Sequence, residues 1–295
     1  MMKRISLLAL ALALLVAVPA MAAAPQMGVD DYPVVDGSTA TLPLSYALMQ
    51  ATTGCTSDVA QAAISHSKTT ESFYALVDGS ADLLLVYEPS QDAYDYASQS
   101  GVKLTMKAIG RDALVFLVNP ANPVKTLTQD QLVDIYTGKT VNWKDVGGED
   151  LPIVAYQRIE NSGSQVMMEK QVMQGKTMMD APKELRTDEM AELIDEVASY
   201  KDAPSAIGYS VYYYVHNMYS NSNIRMLQVA GVAPDNDTIA SGAYPYKQDF
   251  YAVIRSDAPE DSPQRKLFDW LTTGEGQALI TDAGYVAVSG QEIEE

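Results

Sequence analysis

Short apolar blocks alternate along this chain between strand-like runs and segments of helical period, separated by hydroxyl-, glycine- and proline-rich turns. After a tail over 24–31, YPVVDG predicts a strand at 32–37 that ends in a turn. The segment STATLPLSYALMQAT then runs into a helix with Leu44, Ala47, Leu48 and Ala51 on one side and Pro43 in its first turn. VAQAAISHS (59–67) reads as a strand, and TTESFYALVDG (69–79) as a helix with Phe73, Leu76 and Val77 on one face. DLLLVY (82–87) is apolar throughout, as expected of a strand covered on both sides. A helix is predicted over 90–99, then strands at 102–110 and 112–119.

NPANPVKTL (119–127) is the best boundary, with a helix from Thr128 to Gly138 beyond it. Residues 139–150 form a polar loop with Trp143 and Gly147-Gly148, and PIVAYQ (152–157) is a strand. The stretch 175–205 is more helical and acidic, and its charges, Asp188, Glu189, Glu192, Asp195 and Glu196, read as a solvated helix face. SAIGYSVYYYV (205–215) is strand then helix; Tyr209, Tyr212, Tyr213 and Tyr214 either pack or wall a cleft. YPYKQDFYAVIR, from 244, predicts a strand returning across the molecule. Two helices follow at 262–273 and 274–284, with Leu267, Trp270, Leu271, Ala278 and Leu279 on their apolar faces. There is no convincing short repeat and no low-complexity tract. Alternating strands and helices with short loops imply an α/β fold built on open sheets.

In such sheets ligands bind beyond the carboxyl ends of the strands. Four polar loops lie there: Ser38, Thr39 and Thr41; Ser67, Lys68 and Thr69; Glu88-Pro89-Ser90; and the stretch YQRIENSGSQ (156–165). In the last, Arg158 precedes Asn161-Ser162-Gly163-Ser164, and Val166, Met167, Val172 and Met173 begin a helix. Either Ser162 or Ser164 can cap that helix by accepting a bond from an orphan N–H. Gly163 lets a ligand approach the backbone closely. Free amides, the positive end of the helix and the planar fork of Arg158 all favour a tetrahedral anion. A plain capped helix with a surface arginine is the competing reading of this stretch alone.

The composition narrows the functions open to these loops. Residues 1–23 read as a secretory leader: Lys3 and Arg4, an apolar core over 7–18, and an A-x-A cleavage site at Ala20-Met21-Ala22. That run is short for a membrane span, and no cysteine lies near the cleavage site to carry a lipid. The formal charge of −18 argues against nucleic acid or anionic lipid as partner, and losing the leader would remove two more cations. Any anion must therefore be held by local geometry. Cys55, the only cysteine, reads as a small buried hydrophobe. His66 and His216 form no metal pattern, and there is no G-x-S-x-G elbow, Walker A or G-x-G-x-x-G loop. Ser162 or Ser164 as a nucleophile has no base nearby in sequence, so no enzyme, cofactor or metal site is expected. Glu88 would repel an anion unless the anion donates a proton to it. As a site residue it would select monohydrogen phosphate over sulfate, and otherwise it is a helix-capping acid.

Several segments carry a resemblance: VVDGSTATLPL (34–44), LVFLVNPANPVKTLTQDQLVDIYTGKTVNWKDVGG (114–148), YQRIENSGSQ, SAIGYSVYYY (205–214) and KLFDWLTTGEGQALITDAGYVAV (266–288). They are similar to the phosphate-binding proteins of phosphate ABC transporters, periplasmic binding proteins of the two-lobed type. The resemblance implies one lobe from 30–117 plus 246–295 and a second, 118–245, inserted between, each an open, mostly parallel sheet with helices on both faces. Hinge crossings would fall near 116–121 and 245–251, with the ligand cleft between the lobes. It implies capture of inorganic phosphate and delivery to a membrane permease by a periplasmic monomer; another oxyanion, an organic phosphate or a sensing role is the alternative. The implied contacts are Ser38, Thr39 and Thr41 from the first loop, Ser67 or Thr69 from the second, and Arg158, Ser162, Gly163 and Ser164 from the inserted lobe. Two departures stand out. The second loop is HSKTT where the family has glycines, so Lys68 either enters the site or points to solvent. The acid after the apolar strand is Glu88, one residue displaced from the family's aspartate.

Overall fold

The computed structural model describes residues 23–199, 203–288 and 292–293, so the expected leader lies outside the described residues except for its last position. Strand β1 (Val35–Gly37) leads through a 3₁₀ turn into α1 (Leu42–Thr53), which has proline in its first turn and ends on Gly54 at φ 70°. A Cβ on Gly37 would lie 1.9 Å from the Leu85 carbonyl oxygen, so only glycine lets the strands close there. The strand expected at 59–67 is instead α2 (Ser57–Ala63) followed by an irregular loop. Thr56 caps it by accepting from the Val59 N–H, Asp58 sits in its first turn, and three alanines favour the helix.

Next come α3 (Thr69–Asp78), the fully buried β2 (Leu83–Tyr87) and α4 (Gln91–Gln99). The two strands expected at 102–110 and 112–119 are one 15-residue strand, β3 (Leu104–Val118). Gly110 does not turn the chain. It makes room for Phe250, whose ring would stand 2.1 Å from an added Cβ, at a bulge in β3 where Ile109 is left without a register partner. Beyond it the chain forms β4 (Thr126–Leu127), α5 (Gln129–Tyr136, with a Thr128/Gln131 capping box), β5 (Val154–Ala155) and β6 (Gln157–Arg158). Helix α6 (Gly163–Met167) continues as a π-helical turn to Met173. There follow β7 (Arg186–Thr187), α7 (Met190–Ser199), β8 (Ala206–Val211), β9 (Arg225–Met226), β10 (Gln228–Val229) and α8 (Asn236–Ser241). The returning strand is β11 (Lys247–Arg255), and α9 (Pro263–Trp270), α10 (Gly274–Asp282), β12 (Val286–Ala287) and β13 (Glu292–Ile293) complete the chain.

The main sheet runs β1-β2-β11-β3-β8-β5. Pairs β1/β2, β5/β8, β6/β7 and β4/β10 are parallel. Every antiparallel pair involves β3 or β11, the strands that carry the chain between its two halves. Over Leu104–Ala113, β3 pairs with β11; from Leu114 to Val118 it pairs with β8. This switch produces the two-lobed α/β fold: one long strand belongs to the sheet of each lobe in turn. Aromatic rings fill the junction, with Phe116 against Tyr136, Tyr209 and Tyr246 on one side and Tyr87 against Phe250 on the other. Tyr213 and Tyr285 stack, so the tyrosines after β8 are packing residues. Among the described residues no helix is long and apolar enough to cross a membrane.

Candidate anion site between the lobes

Three loop segments and the end of β2 enclose a cavity of ≈ 30 Å³. Since one water needs about 10–15 Å³ of such space, this is room for a few heavy atoms. From the first lobe it is lined by Ser38, Thr39 and Ala40 after β1, by Lys68 and Thr69 at the start of α3, and by Tyr87. From the second come Arg158, Ser162, Gly163 and Ser164, closed off by Met190 and Val211. Both walls are helix starts, where first-turn amides have no partner within the helix. Ser162 is the N-cap of α6, accepting from the Gln165 N–H at 3.4 Å, which decides between the two serines proposed for that role.

Arg158 is 5% exposed. Its Nε donates to the Thr187 carbonyl (3.2 Å), Nη1 to Ser164 Oγ (3.0 Å), and Nη2 to the Asp188 carbonyl. Its own N–H donates to the Tyr209 hydroxyl (3.0 Å), which in turn donates to Gln165 Oε1. All of these partners are neutral. Burial draws the guanidinium pKa below its usual value, as expected of a cation held out of water, yet an arginine stays charged. The fork is therefore fixed in place while its charge is left uncompensated by any directly bonded side chain.

The facing loops are built from behind. Asp36 Oδ1 accepts from the Gly37 N–H (2.6 Å) and the Ser67 N–H (2.7 Å), and Oδ2 from Ser67 Oγ (2.5 Å). His66 bonds Ser38 O through Nδ1 (2.7 Å) and Ser45 Oγ through Nε2 (3.0 Å). A carbonyl only accepts, so Nδ1 carries the hydrogen; burial lowers the ring's pKa and keeps it neutral. Ser38 and Thr69 join the loops through their hydroxyls at 2.8 Å, and Ser38 Oγ accepts from the Tyr87 N–H at 3.1 Å.

Three expected site residues do not reach the cavity. Ser67 is bonded to Asp36, so of the two second-loop alternatives it is Thr69 that lines the space. Thr41 is fully buried, with its hydroxyl donated to the Ser38 and Leu85 carbonyls inside the first lobe. Glu88 pairs with Lys170 at 2.6 Å and lines a separate groove of ≈ 600 Å³ with Tyr94, Lys103 and Tyr251. Strand alternation explains this: the all-buried β2 ends at Tyr87, whose position faces the cavity, and Glu88 falls on the other side. Ser38, Thr39, Thr69, Arg158, Ser162, Gly163 and Ser164 are brought together as expected.

The lobes are in contact across the cavity. Lys68 bridges to Asp188 (2.9 Å) and Glu189 (2.7 Å); both acids stay exposed, so the solvated face expected there also ties the lobes together. Burial opposes the charge on Lys68, but the two carboxylate bonds prevail and raise its pKa. Thr70 Oγ1 donates to Asn161 O at 2.8 Å, and Asn161 Nδ2 to Asp92 Oδ2 at 3.1 Å. A Cβ on Gly163 would come within 2.4 Å of Thr69 Oγ1, so the glycine admits the opposite lobe. Lys68 and Asn161, beside the cavity, have φ of 80° and 66°, conformations costly for lysine in particular. Among the described residues no cluster of three or more His, Cys, Asp or Glu side chains could hold a metal.

Sequence reasoning missed Tyr87 and the supports Asp36 and His66. Tyr87 could have been found as the last residue of the apolar run. Nothing local in the sequence links Asp36 to Ser67, 31 positions apart.

Known proteins resemble the chain along most of its length. The phosphate-binding protein PstS of Bacillus subtilis is 28% identical over 177 residues, 60% of this chain and 55% of that protein, so the match spans little more than half of that relative. The phosphate-binding protein PstS of Borreliella burgdorferi is 26% identical over 204 residues, 68% of this chain and 71% of that one. A Clostridium perfringens structure with bound phosphate, described as a phosphate ABC transporter substrate-binding protein, superposes with a TM-score of 0.63 at 22% identity. It covers 86% of this chain and 98% of that one, a likeness of fold. The family model described as the PBP superfamily domain matches residues 22–275, and the chain belongs to that superfamily.

Proposed function

We propose that this protein captures inorganic phosphate between its lobes outside the cytoplasm and delivers it to the membrane permease of an ABC transporter. One observation carries the reading. Arg158 is buried and rigidly held, its fork bonds only neutral groups, and it borders a hydroxyl-lined cavity between two lobes. A buried cation is costly unless an anion compensates it, and a bidentate fork suits a tetrahedral oxyanion. The relatives' names support phosphate as that anion. We place the lobes at 30–117 plus 246–295 and at 118–245; β3 changes partner between Ala113 and Leu114, just before the first of these crossings. Ligand contacts would come from Ser38, Thr39, Thr69, Arg158, Ser162, Gly163 and Ser164, with Lys68 and Tyr87 added.

The protein acts in this reading as a binder and not as a catalyst. The cavity serines bond Arg158, Thr69 and a helix amide, and His66 is turned to Ser38 O and Ser45. Titration calorimetry tests the proposal. Phosphate should bind at micromolar or lower concentration, and Arg158→Ala should weaken it by about 10- to 150-fold, the value of a charged hydrogen bond. Absence of phosphate binding, or a loss below about fivefold in the variant, would reject it.

A further inference from the structure

Asp112 is a buried acid at the place where the two sheets meet. Its register partner is Gln248 on β11, and from Leu114 onward β3 pairs instead with β8 of the second lobe. Its two oxygens hold both sides of that switch. Oδ2 accepts from the hydroxyl of Tyr87 (2.6 Å), a residue of the cavity wall in the first lobe. Oδ1 accepts from the Ala113 N–H (2.7 Å) and from the N–H of Tyr213 (3.0 Å), two residues beyond β8. Tyr213 is docked on the first lobe in two further ways: its ring stacks on Tyr285, and its hydroxyl donates to the Ala283 carbonyl (2.9 Å). The Tyr285 hydroxyl in turn donates to the carbonyl of Ala40 (2.7 Å), another cavity residue. Two bonded paths therefore lead from the end of β8 to the cavity, one through Asp112 and Tyr87, the other through Tyr285 and Ala40.

The titratable groups around Asp112 are the phenols of Tyr87, Tyr212, Tyr213 and Tyr285, and burial raises the pKa of each. On β11 the facing residue is the neutral Gln248, and Arg111, next to Asp112 in sequence, bonds Asp249 instead. Within this group, then, only Asp112 changes charge near neutral pH. Burial brings its carboxyl up to about 6. We propose that Asp112 is a positioning residue for phosphate capture: as a carboxylate it draws the end of β8 and the Tyr87 wall together in the closed form, and taking up a proton loosens that closure. The inference rests on the phosphate-binding reading above and adds to it a residue that lies outside the cavity. Parting the lobes takes the Tyr213 N–H from Oδ1, so the open form holds a proton on Asp112 more readily than the closed form. By linkage, a ligand that selects the closed form must bind more weakly as Asp112 is protonated.

Calorimetry with sodium phosphate, on the wild type and on Asp112→Asn between pH 5 and pH 7.5, tests this. The titration of phosphate itself is common to both proteins and cancels in the ratio of their affinities. The wild type should bind at least about fivefold more tightly than the variant at pH 7.5 and within about twofold of it at pH 5. A ratio that stays constant across this range, as a merely structural loss would give, overturns the inference and leaves the phosphate reading intact; no phosphate binding by the wild type at any pH overturns both. Tyr87→Phe keeps the test open if the asparagine variant does not fold. It removes one donor from the carboxylate, so the fall in phosphate affinity should begin at higher pH than in the wild type. An unmoved profile would contradict the role of Asp112.

Discussion

Gly163→Ala separates closure of the lobes from stability of the fold. The added Cβ would stand 2.4 Å from Thr69 Oγ1 and 3.4 Å from Thr69 Cβ, across the cavity. Relief needs a shift of roughly 0.6 Å, because real Cβ contacts do not fall below 3.0 Å. Turning the Thr69 side chain would break its 2.8 Å bond to Ser38. Moving the lobes apart would stretch the 2.8 Å bond from Thr70 to Asn161 and loosen Arg158 from any ligand held against the first lobe. Overpacking of this kind costs about 1–3 kcal/mol. When the lobes are apart the alanine touches nothing, and it is a better helix residue than glycine. The cost therefore falls on the closed form, and phosphate should bind about 5- to 150-fold more weakly. Calorimetry gives the affinity, and small-angle scattering gives the ligand-induced compaction. Thermal unfolding without ligand should be unchanged or slightly improved. In Thr69→Ala, which removes the hydroxyl, adding Gly163→Ala should cost little more. An affinity within twofold of wild type, or additive losses in the double variant, would refute the steric account.

Other consequences are open to direct measurement. Glu88→Gln should change phosphate affinity by less than about threefold, since Glu88 faces Lys170 at a partly exposed rim and such pairs contribute about 0–1 kcal/mol; a calorimetric loss beyond tenfold would return Glu88 to the site. Asp112, at the end of the β3/β11 pairing, accepts from Tyr87 Oη (2.6 Å), Ala113 N–H (2.7 Å) and Tyr213 N–H (3.0 Å), yet burial raises its pKa to about 6. A carboxyl raised in the folded state binds protons there that the unfolded chain has released. Its contribution to stability is therefore greatest below its ordinary pKa and falls by ~3 kcal/mol as pH rises to about 6. Asp112→Asn should flatten the stability profile across that window in urea unfolding; parallel wild-type and variant profiles would refute this.

The legible parts of the molecule were those written in contiguous residues. The apolar run LLLVY, the helix start at Thr128, and the Arg158–Ser164 loop each carry their signal within a few positions. What escaped depends on contacts made far along the chain. The long strand was split after Gly110 because the packing partner of that glycine, Phe250, lies 140 residues away. Asp188 and Glu189 are solvated as expected, but the pairing of Asp188 with Lys68, 120 positions away on the other lobe, could not be read locally. Lys68 lies in a loop where the resemblance expects glycines and has a glycine-like backbone at φ 80°, a strain of about 1–3 kcal/mol. The two ion pairs give a reason for tolerating a lysine there. Glu88 was placed in the site by its chemistry; the alternation of β2, which decides the side, gave that place to Tyr87.

A chain with a formal charge of −18 is an unpromising anion trap until distances are weighed. A surface carboxylate roughly 15 Å from the cavity, acting through water at physiological salt, repels a single charge by about 0.04 kcal/mol. Eighteen excess charges of that kind oppose binding by less than about 1 kcal/mol. One guanidinium at about 4 Å in a partly desolvated pocket attracts the same charge by about 4 kcal/mol. Arg158 meets that condition through burial, and the bonds to Thr187, Ser164 and Asp188 hold its fork still, so little is spent on ordering it when an anion arrives. The surface charge thus acts on solubility and on the rate of approach, and the balance at the site is set by one arginine with the loop hydroxyls and helix amides around it.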